Sequence, residues 1–455
     1  MAGSDSDAVD ASALVRSRRY WLLLVLSALV GVVVSMASWA FLEITHWLQV
    51  GVYQDLPKSL GFAAAPWWWP LPVLVTAGVI VAFAVTRLSG HGGHEPAEGL
   101  KTGTPTLPAD LPGVVLAALA TIGLGLVLGP EAPLIALGTG LALFLLNLSR
   151  RPMPDQAKRV VAASAAFAAL ATIFGSPVVG AVIIIEAAGL GGSTLPVILL
   201  PGLLSAGIGS LLFVGIGSVT GLSTDAFALP PLSLAAYPTP QLADFLWTVP
   251  LALAAALLVH LVVRSARLVR RVVTGRRLLL TPVAAVLVGL TAVTFHAISG
   301  QSADAVLFSG QEAMIPLLRQ AGTISVGTLA LLLLCKTLAW VLSLGAARGG
   351  PTFPAIFLGL VGGLLAGHLP SAAPTAAIGV LVGATVVAML RLPLSSILIA
   401  LLLTRAGDGV APLVILSVVV AYIATLLLEA RAPGAEPAAQ ATTPGPAATR
   451  AEPAS

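Results

Sequence analysis

Charge is what this chain most lacks: of 455 residues, 57% are hydrophobic and only 9% charged. A water-soluble fold of this length cannot hide that much apolar surface, so the deficit excludes a soluble globular protein and requires an integral membrane one. Cysteine is nearly absent. Cys335 stands alone in an apolar run, which excludes an intrachain disulfide, argues against a thiolate metal site and leaves a core role. Aromatic residues make up 5% and no basic patch interleaves with them, so the net charge of +4 gives no support for a nucleic-acid partner. The alternating polarity of a transmembrane β-barrel is missing. The first 14 residues lack a basic n-region and do not read as a signal peptide.

What is present is a series of long apolar segments, among them 21–42, 71–86, 114–128, 160–174, 196–215, 246–263, 279–297, 326–346 and 376–390. They predict an all-α, polytopic membrane protein. The runs 134–147 and 394–404 fall short of the ~20 residues that cross a bilayer, and Gly or Pro interrupts them, so half-helices are expected there. Cationic patches lie at Arg16, Arg18 and Arg19, at Arg150, Arg151, Lys158 and Arg159, and at Arg264, Arg267, Arg270, Arg271, Arg276 and Arg277. The positive-inside rule puts all three in the cytoplasm, with the N-terminal segment 1–19. The membrane domain is then 20–430, in halves of about 20–220 and 245–430, with 264–277 as a basic linker. Trp67, Trp68 and Trp69 read as an interfacial anchor. The Ala/Pro-rich residues 431–455 are expected to be a disordered tail.

An internal repeat carries the functional signal. "GPEAPLIALGTG" followed by "AALATIFGSPVVGAVIIIE" matches in order "GGPTFPAIFLGLVGG" followed by "VVAMLRLPLSSILIALLLT". In each half a Gly/Pro break opens a Gly-studded helix, and Pro177 or Pro393 then opens a short apolar segment. Broken helices at corresponding places in two halves point to a midplane site where helix N-termini converge on an anion. Glu131 is the sole carboxylate between Asp110 and Asp155, placed at such a break. A helix-capping acid would explain it in a soluble protein. In an apolar run a carboxylate is costly unless amides replace water, and a site that accepts a carboxylate also accepts an anion.

On "LGPEAP" (128–133), "GGPTFP" (349–354), "FGSPVVGAVIIIE" (174–186) and the run 309–350, the chain resembles the CLC family of chloride channels and proton-coupled chloride transporters over about 20–430. The resemblance implies two inverted-topology repeats of tilted and broken helices, a homodimer with one anion pathway per subunit, and no cofactor. It implies that Glu131 is the gating glutamate, competing with chloride. It also implies anion contacts at Gly129, Pro130 and Ala132, at Gly350, Pro351, Thr352 and Phe353, and at Gly92, Gly93 and His94.

The departures from the family pattern bear on mechanism. Pro130 replaces a basic residue and Ala132 a glycine. Pro351 removes a backbone donor, which the Thr352 hydroxyl or the Phe353 amide is expected to replace. The family's inner serine, in G-S-G-x-P, is missing from "SGHGGHEPAEGL" (89–100), and His94 is the candidate substitute donor. His91, His94, Glu95 and Glu98 have zinc-like spacing. Two glycines and Pro96, read as the first residue of a helix, argue against a metal. Both histidines read equally well as loop residues bonded to carbonyls. The family's inner tyrosine has no counterpart, since Tyr422 lies inside the last apolar helix. The second glutamate of proton-coupled members is Ala187 here, next to Glu186. These changes favour passive, channel-like chloride conduction. The alternative is chloride/proton exchange with Glu186 or His91 and His94 in the proton path, with a helix-end role as the plain reading of Glu186.

An enzyme is not expected: Ser164, Ser176 and Ser218 show no pairing pattern with His46, His260, His296 or His368. The rival class is a cation or proton transporter built on Glu43, Glu131 and Glu186, but Gly-Pro breaks that open helices favour anions. Lys336 and Arg391 also fall in apolar segments. Lys336 either adds positive potential to the pathway or snorkels or pairs with a carboxylate.

Overall fold

In lipid a backbone must satisfy its own polar groups, and an open chain does that only as helix. The computed structural model describes residues 16–431, except 101–103, 149–152, 190–193, 221–228, 230, 233, 238 and 371. The acidic start, the Arg150–Arg151 pair and the tail from 432 therefore lie outside the described residues.

The first half runs α1 (Arg18–Val50), which continues through a π-turn at Gly51–Asp55, then α2 (Pro70–Arg87), α3 (Leu111–Gly123), α4 (Glu131–Leu148), α5 (Asp155–Phe174), α6 (Pro177–Ala187) and α7 (Thr194–Thr220). The second runs α8 (Leu242–Thr274), α9 (Arg277–Ser299), the short α10 (Met314–Arg319), α11 (Val326–Ala346), α12 (Thr352–Ala366), α13 (Pro374–Leu390), α14 (Pro393–Thr404) and α15 (Ala411–Ala430). Among the described residues, nine helices are long and apolar enough to cross a membrane.

The half-helix expectation holds for α14, with 12 residues. It fails at 134–147, which belongs to the 18-residue α4 and counts among the candidate spans. The glycines there are contacts, not breaks: a methyl on Gly138 would lie 3.0 Å from the Ala165 carbonyl of α5. Pro133 falls in the first turn of α4, where a missing N–H costs nothing.

The repeat in sequence is a repeat in structure. The succession α4, α5, α6 recurs as α12, α13, α14. α5 ends on Gly175 at φ 62° and α13 on Arg391 at φ 59°, and each left-handed residue precedes by two the proline that opens the next helix. Arg391 is thus in a turn, where it pairs with Glu429 of α15 rather than lying in an apolar span.

Two further expectations change. The basic stretch 264–277 is not a loose linker: α8 runs unbroken to Thr274, and only Gly275 and Arg276 separate it from α9. Of the tryptophan cluster, Trp67 and Trp68 are exposed, whereas Trp69 is buried and its indole donates to the Val52 carbonyl at 2.9 Å. Cys335 is buried, as a core residue should be.

Candidate functional site

The two motif breaks meet. Gly129 and Gly350 form an antiparallel bridge, with Gly129 N donating to Gly350 O at 2.7 Å and Gly350 N to Gly129 O at 2.6 Å. The bridge brings the start of α4 against the start of α12, so two helix N-termini with unpaired N–H groups face one point. Glu131 occupies it. Its side chain is 1% exposed, and Oε1 accepts from the Thr352 amide at 2.5 Å. Oε2 is buried with no hydrogen-bonding partner, as is the Thr352 hydroxyl.

Both glycines are required by this seating. A Cβ on Gly350 would fall on the Glu131 carboxyl carbon and both its oxygens, and one on Gly129 would meet Oε2 and, at 2.9 Å, the Phe353 ring. Beside Pro351, which has no N–H, it is the Thr352 amide that donates to Glu131. Phe353 instead packs fully buried on Phe174, ring centroids 5.7 Å apart, which joins α12 to the end of α5.

The residues on either side of Glu131 line two cavities. One, of about 360 Å³, is lined by Pro130, by Thr45, His46 and Gln49 of α1, and by Asp304, Phe308 and Glu312. His46 Nδ1 and Glu312 Oε1 stand 3.1 Å apart in that lining, and burial pushes the Asp304 carboxyl up, opposed by a hydrogen bond from Ser302. The other, of about 340 Å³, is lined by Ala132 and Pro133, by Gly92, Gly93 and His94, and by Gly349. Residues 130 and 132, on either side of Glu131, thus line different cavities.

The loop after α2 is held open by left-handed residues: Gly90, His91, Gly92 and Gly93 all have positive φ, from 48° to 91°. A Cβ on Gly92 would press within about 3.1 Å of Val85, Ala117 and Arg348. The four residues with zinc-like spacing are engaged elsewhere. His91 Nδ1 lies 3.1 Å from the Val85 carbonyl, as the plain reading of that histidine held. His94 Nε2 is 3.9 Å from Glu98, and Glu95 and Glu98 pair with arginines of the α8–α9 corner. No group of three or more potential metal ligands occurs among the described residues. Pro96 opens only a three-residue turn, Pro96–Glu98.

Glu186, at the end of α6, lies against the start of α14. Its carboxylate accepts from Leu394 N at 2.9 Å, Ser395 N at 2.8 Å and the Ser395 hydroxyl at 2.7 Å. It therefore caps α14, a role sequence spacing could not show because the partners are about 208 residues away. Glu186→Ala is expected to cost about 1–2 kcal/mol of stability, the range of a lost N-cap, with Glu186→Gln costing less. Thermal unfolding in detergent checks the order of the two variants.

Lys336 does not snorkel, and among the described residues it pairs with no carboxylate. It is fully buried, donates to the carbonyls of Leu307 at 2.6 Å and Phe308 at 3.0 Å, and lies 4.8 Å from the centre of the Phe357 ring. It pins the segment that walls the Pro130-side cavity. Ser164 and Ser176 are structural: one bonds back to the Val160 carbonyl and the other caps α6.

Residues 73–426 match the family model described as Voltage gated chloride channel. The chain belongs to that family. Among curated relatives, the ion-transport protein YfeO of Escherichia fergusonii is 26% identical over 352 residues, 76% of this chain and 79% of that one. YfeO of Shigella boydii serotype 4 is 27% identical over 349 residues, with the same coverage. Among solved structures, a slow cyanobacterial Cl-/H+ antiporter superposes with a TM-score of 0.72 at 20% identity, covering 89% of this chain and 94% of that one. A CLC-type fluoride/proton antiporter gives 0.64 at 17%, covering 88% and 94%. At these identities the likeness is one of fold. This CLC chain is a multi-pass membrane protein with the two-repeat architecture of tilted and broken helices.

Proposed function

We propose that the protein moves chloride or a similar small anion across the cell membrane along a path joining the two cavities, with Glu131 as its gate. The observation that carries this is the seat of Glu131: one buried carboxylate, held by an amide at a helix N-terminus, between cavities lined by its two sequence neighbours. A site that stabilises a carboxylate with N–H groups and helix dipoles stabilises a halide in the same way. The side chain and the ion then compete, and the path conducts when the side chain leaves.

The α8 end that carries Arg264, Arg267, Arg270 and Arg271 is bound to the Ala132-side loop, which supports a cytoplasmic position for that cavity. α1 starts at Arg18 and Arg19 and reaches the Pro130-side cavity with its far end, which supports a cytoplasmic N-terminus and an outer position for that cavity. A homodimer belongs to the same proposal, and light scattering of the purified protein tests it.

Passive conduction is our reading of the coupling. Ala187 carries no proton, and the three bonds of Glu186 hold it as a cap. Exchange of anion for protons is the second reading, favoured by the unpartnered Oε2 of Glu131, which is open to a proton, and by the antiporters among the structural relatives. Chloride efflux and proton uptake measured together from liposomes, with voltage set by potassium and valinomycin, separate the two. Passive conduction predicts chloride flux with no uphill proton movement. Protons driven uphill by chloride would establish exchange, and flux that survives replacement of chloride by gluconate would establish a cation pathway.

A further inference from the structure

Arg348, unremarked in the sequence, is buried beside the Ala132-side cavity. Its side chain is 7% exposed, and the residue directly precedes Gly349 and the bridge residue Gly350 that seats Glu131. Nε donates to the His91 carbonyl at 3.2 Å and Nη1 to the Ala347 carbonyl at 3.1 Å, while Nη2 lies 3.6 Å from Glu95 Oε1. Its stem touches Gly92. Arg348 therefore stands behind both walls of the Ala132-side cavity, the one formed by Gly92 and Gly93 and the one formed by Gly349.

Arg348 has no carboxylate to itself. Glu95 is shared with Arg270 and with Arg277 at 3.4 Å, and Arg270 also holds Glu98 at 2.9 Å. Asp110 lies in the cavity lining itself, so three guanidinium groups stand against three carboxylates around this mouth, and what distinguishes Arg348 is its burial and its lack of a carboxylate of its own. Of the three, Arg348 is the one most removed from water, so its field is screened least.

We infer that Arg348 is the fixed cation that sets anion affinity at the inner mouth, where the loop offers no serine hydroxyl, and that Glu95 tunes it by partial neutralisation. This rests on the anion-transport reading of the Glu131 site. A purely structural clamp and a charge make opposite forecasts for the two partners. If the ion pair only holds the loop, losing either partner weakens anion binding. If charge acts, Arg348→Gln weakens it and Glu95→Gln strengthens it.

The test is the chloride dissociation constant of purified wild type, Arg348→Gln, Arg348→Lys and Glu95→Gln by titration calorimetry, paired with chloride efflux from liposomes. The expected result is a dissociation constant raised about tenfold by Arg348→Gln, restored most of the way by Arg348→Lys, and lowered about threefold by Glu95→Gln. Weakening by both Gln variants, or no change in either, would overturn the inference while leaving chloride transport intact. If Arg348→Gln does not fold, the sign of the Glu95→Gln effect decides alone. Wild-type protein that neither binds nor moves chloride would sink the inference together with the function it rests on.

Discussion

Glu131→Ala is expected to raise chloride flux by about ten- to a hundredfold. The carboxylate occupies the point where the starts of α4 and α12 meet, and its bond from the Thr352 amide is charge-assisted. Such a bond contributes about 1.5–3 kcal/mol, and each 1.4 kcal/mol is a factor of about ten in occupancy of a contested site. Removing the tethered competitor hands that occupancy to the ion. Glu131→Gln should fall between, because the amide oxygen can still accept from Thr352 but the charge is gone. Chloride efflux from liposomes at matched protein density checks the order Ala, Gln, wild type. A Glu131→Ala protein that folds and conducts no faster than wild type would show that the side chain is a plain helix cap.

Gly350→Ala is expected to destabilise the folded protein by about 1–3 kcal/mol, the cost of overpacking a filled site. The added methyl lands on the Glu131 carboxyl group, so the conflict is with one side chain and not with the general packing. Most of that loss should therefore disappear in the double variant Glu131→Ala/Gly350→Ala. A thermal-unfolding cycle of wild type, both single variants and the double variant reads the coupling directly. Additive losses would mean that the carboxylate is not seated where the structure puts it.

Much of this site was legible in the sequence because its elements are punctuated locally. The breaks at Gly129-Pro130 and Gly349-Gly350-Pro351, the isolated carboxylate at Glu131, and the prolines Pro177 and Pro393 each announce themselves by residue type. Fold class and repeat followed from the same marks. What stayed hidden depends on pairing across long stretches of chain. Thr352 gives its amide to a carboxylate 221 positions away, and Arg348 reaches a carbonyl 257 positions away. No periodicity encodes either contact. Glu95 and Glu98, whose zinc-like spacing the glycines and Pro96 already argued against, kept their partners hidden for a related reason: the arginines they face lie on a distant helix corner. At 134–147 the glycines suggested an interruption, because sequence alone does not separate a helix-breaking glycine from one that admits a neighbouring backbone.

The Gly129–Gly350 bridge also bears on how the molecule is built. Each half supplies one partner of both hydrogen bonds, and the carboxylate of the first half takes its donor from the second. The carboxylate and the amide that receives it are 221 positions apart, so this seat exists only where the two halves are packed together. The seat of Glu131 is a product of docking, because neither half alone holds both the carboxylate and its amide donor.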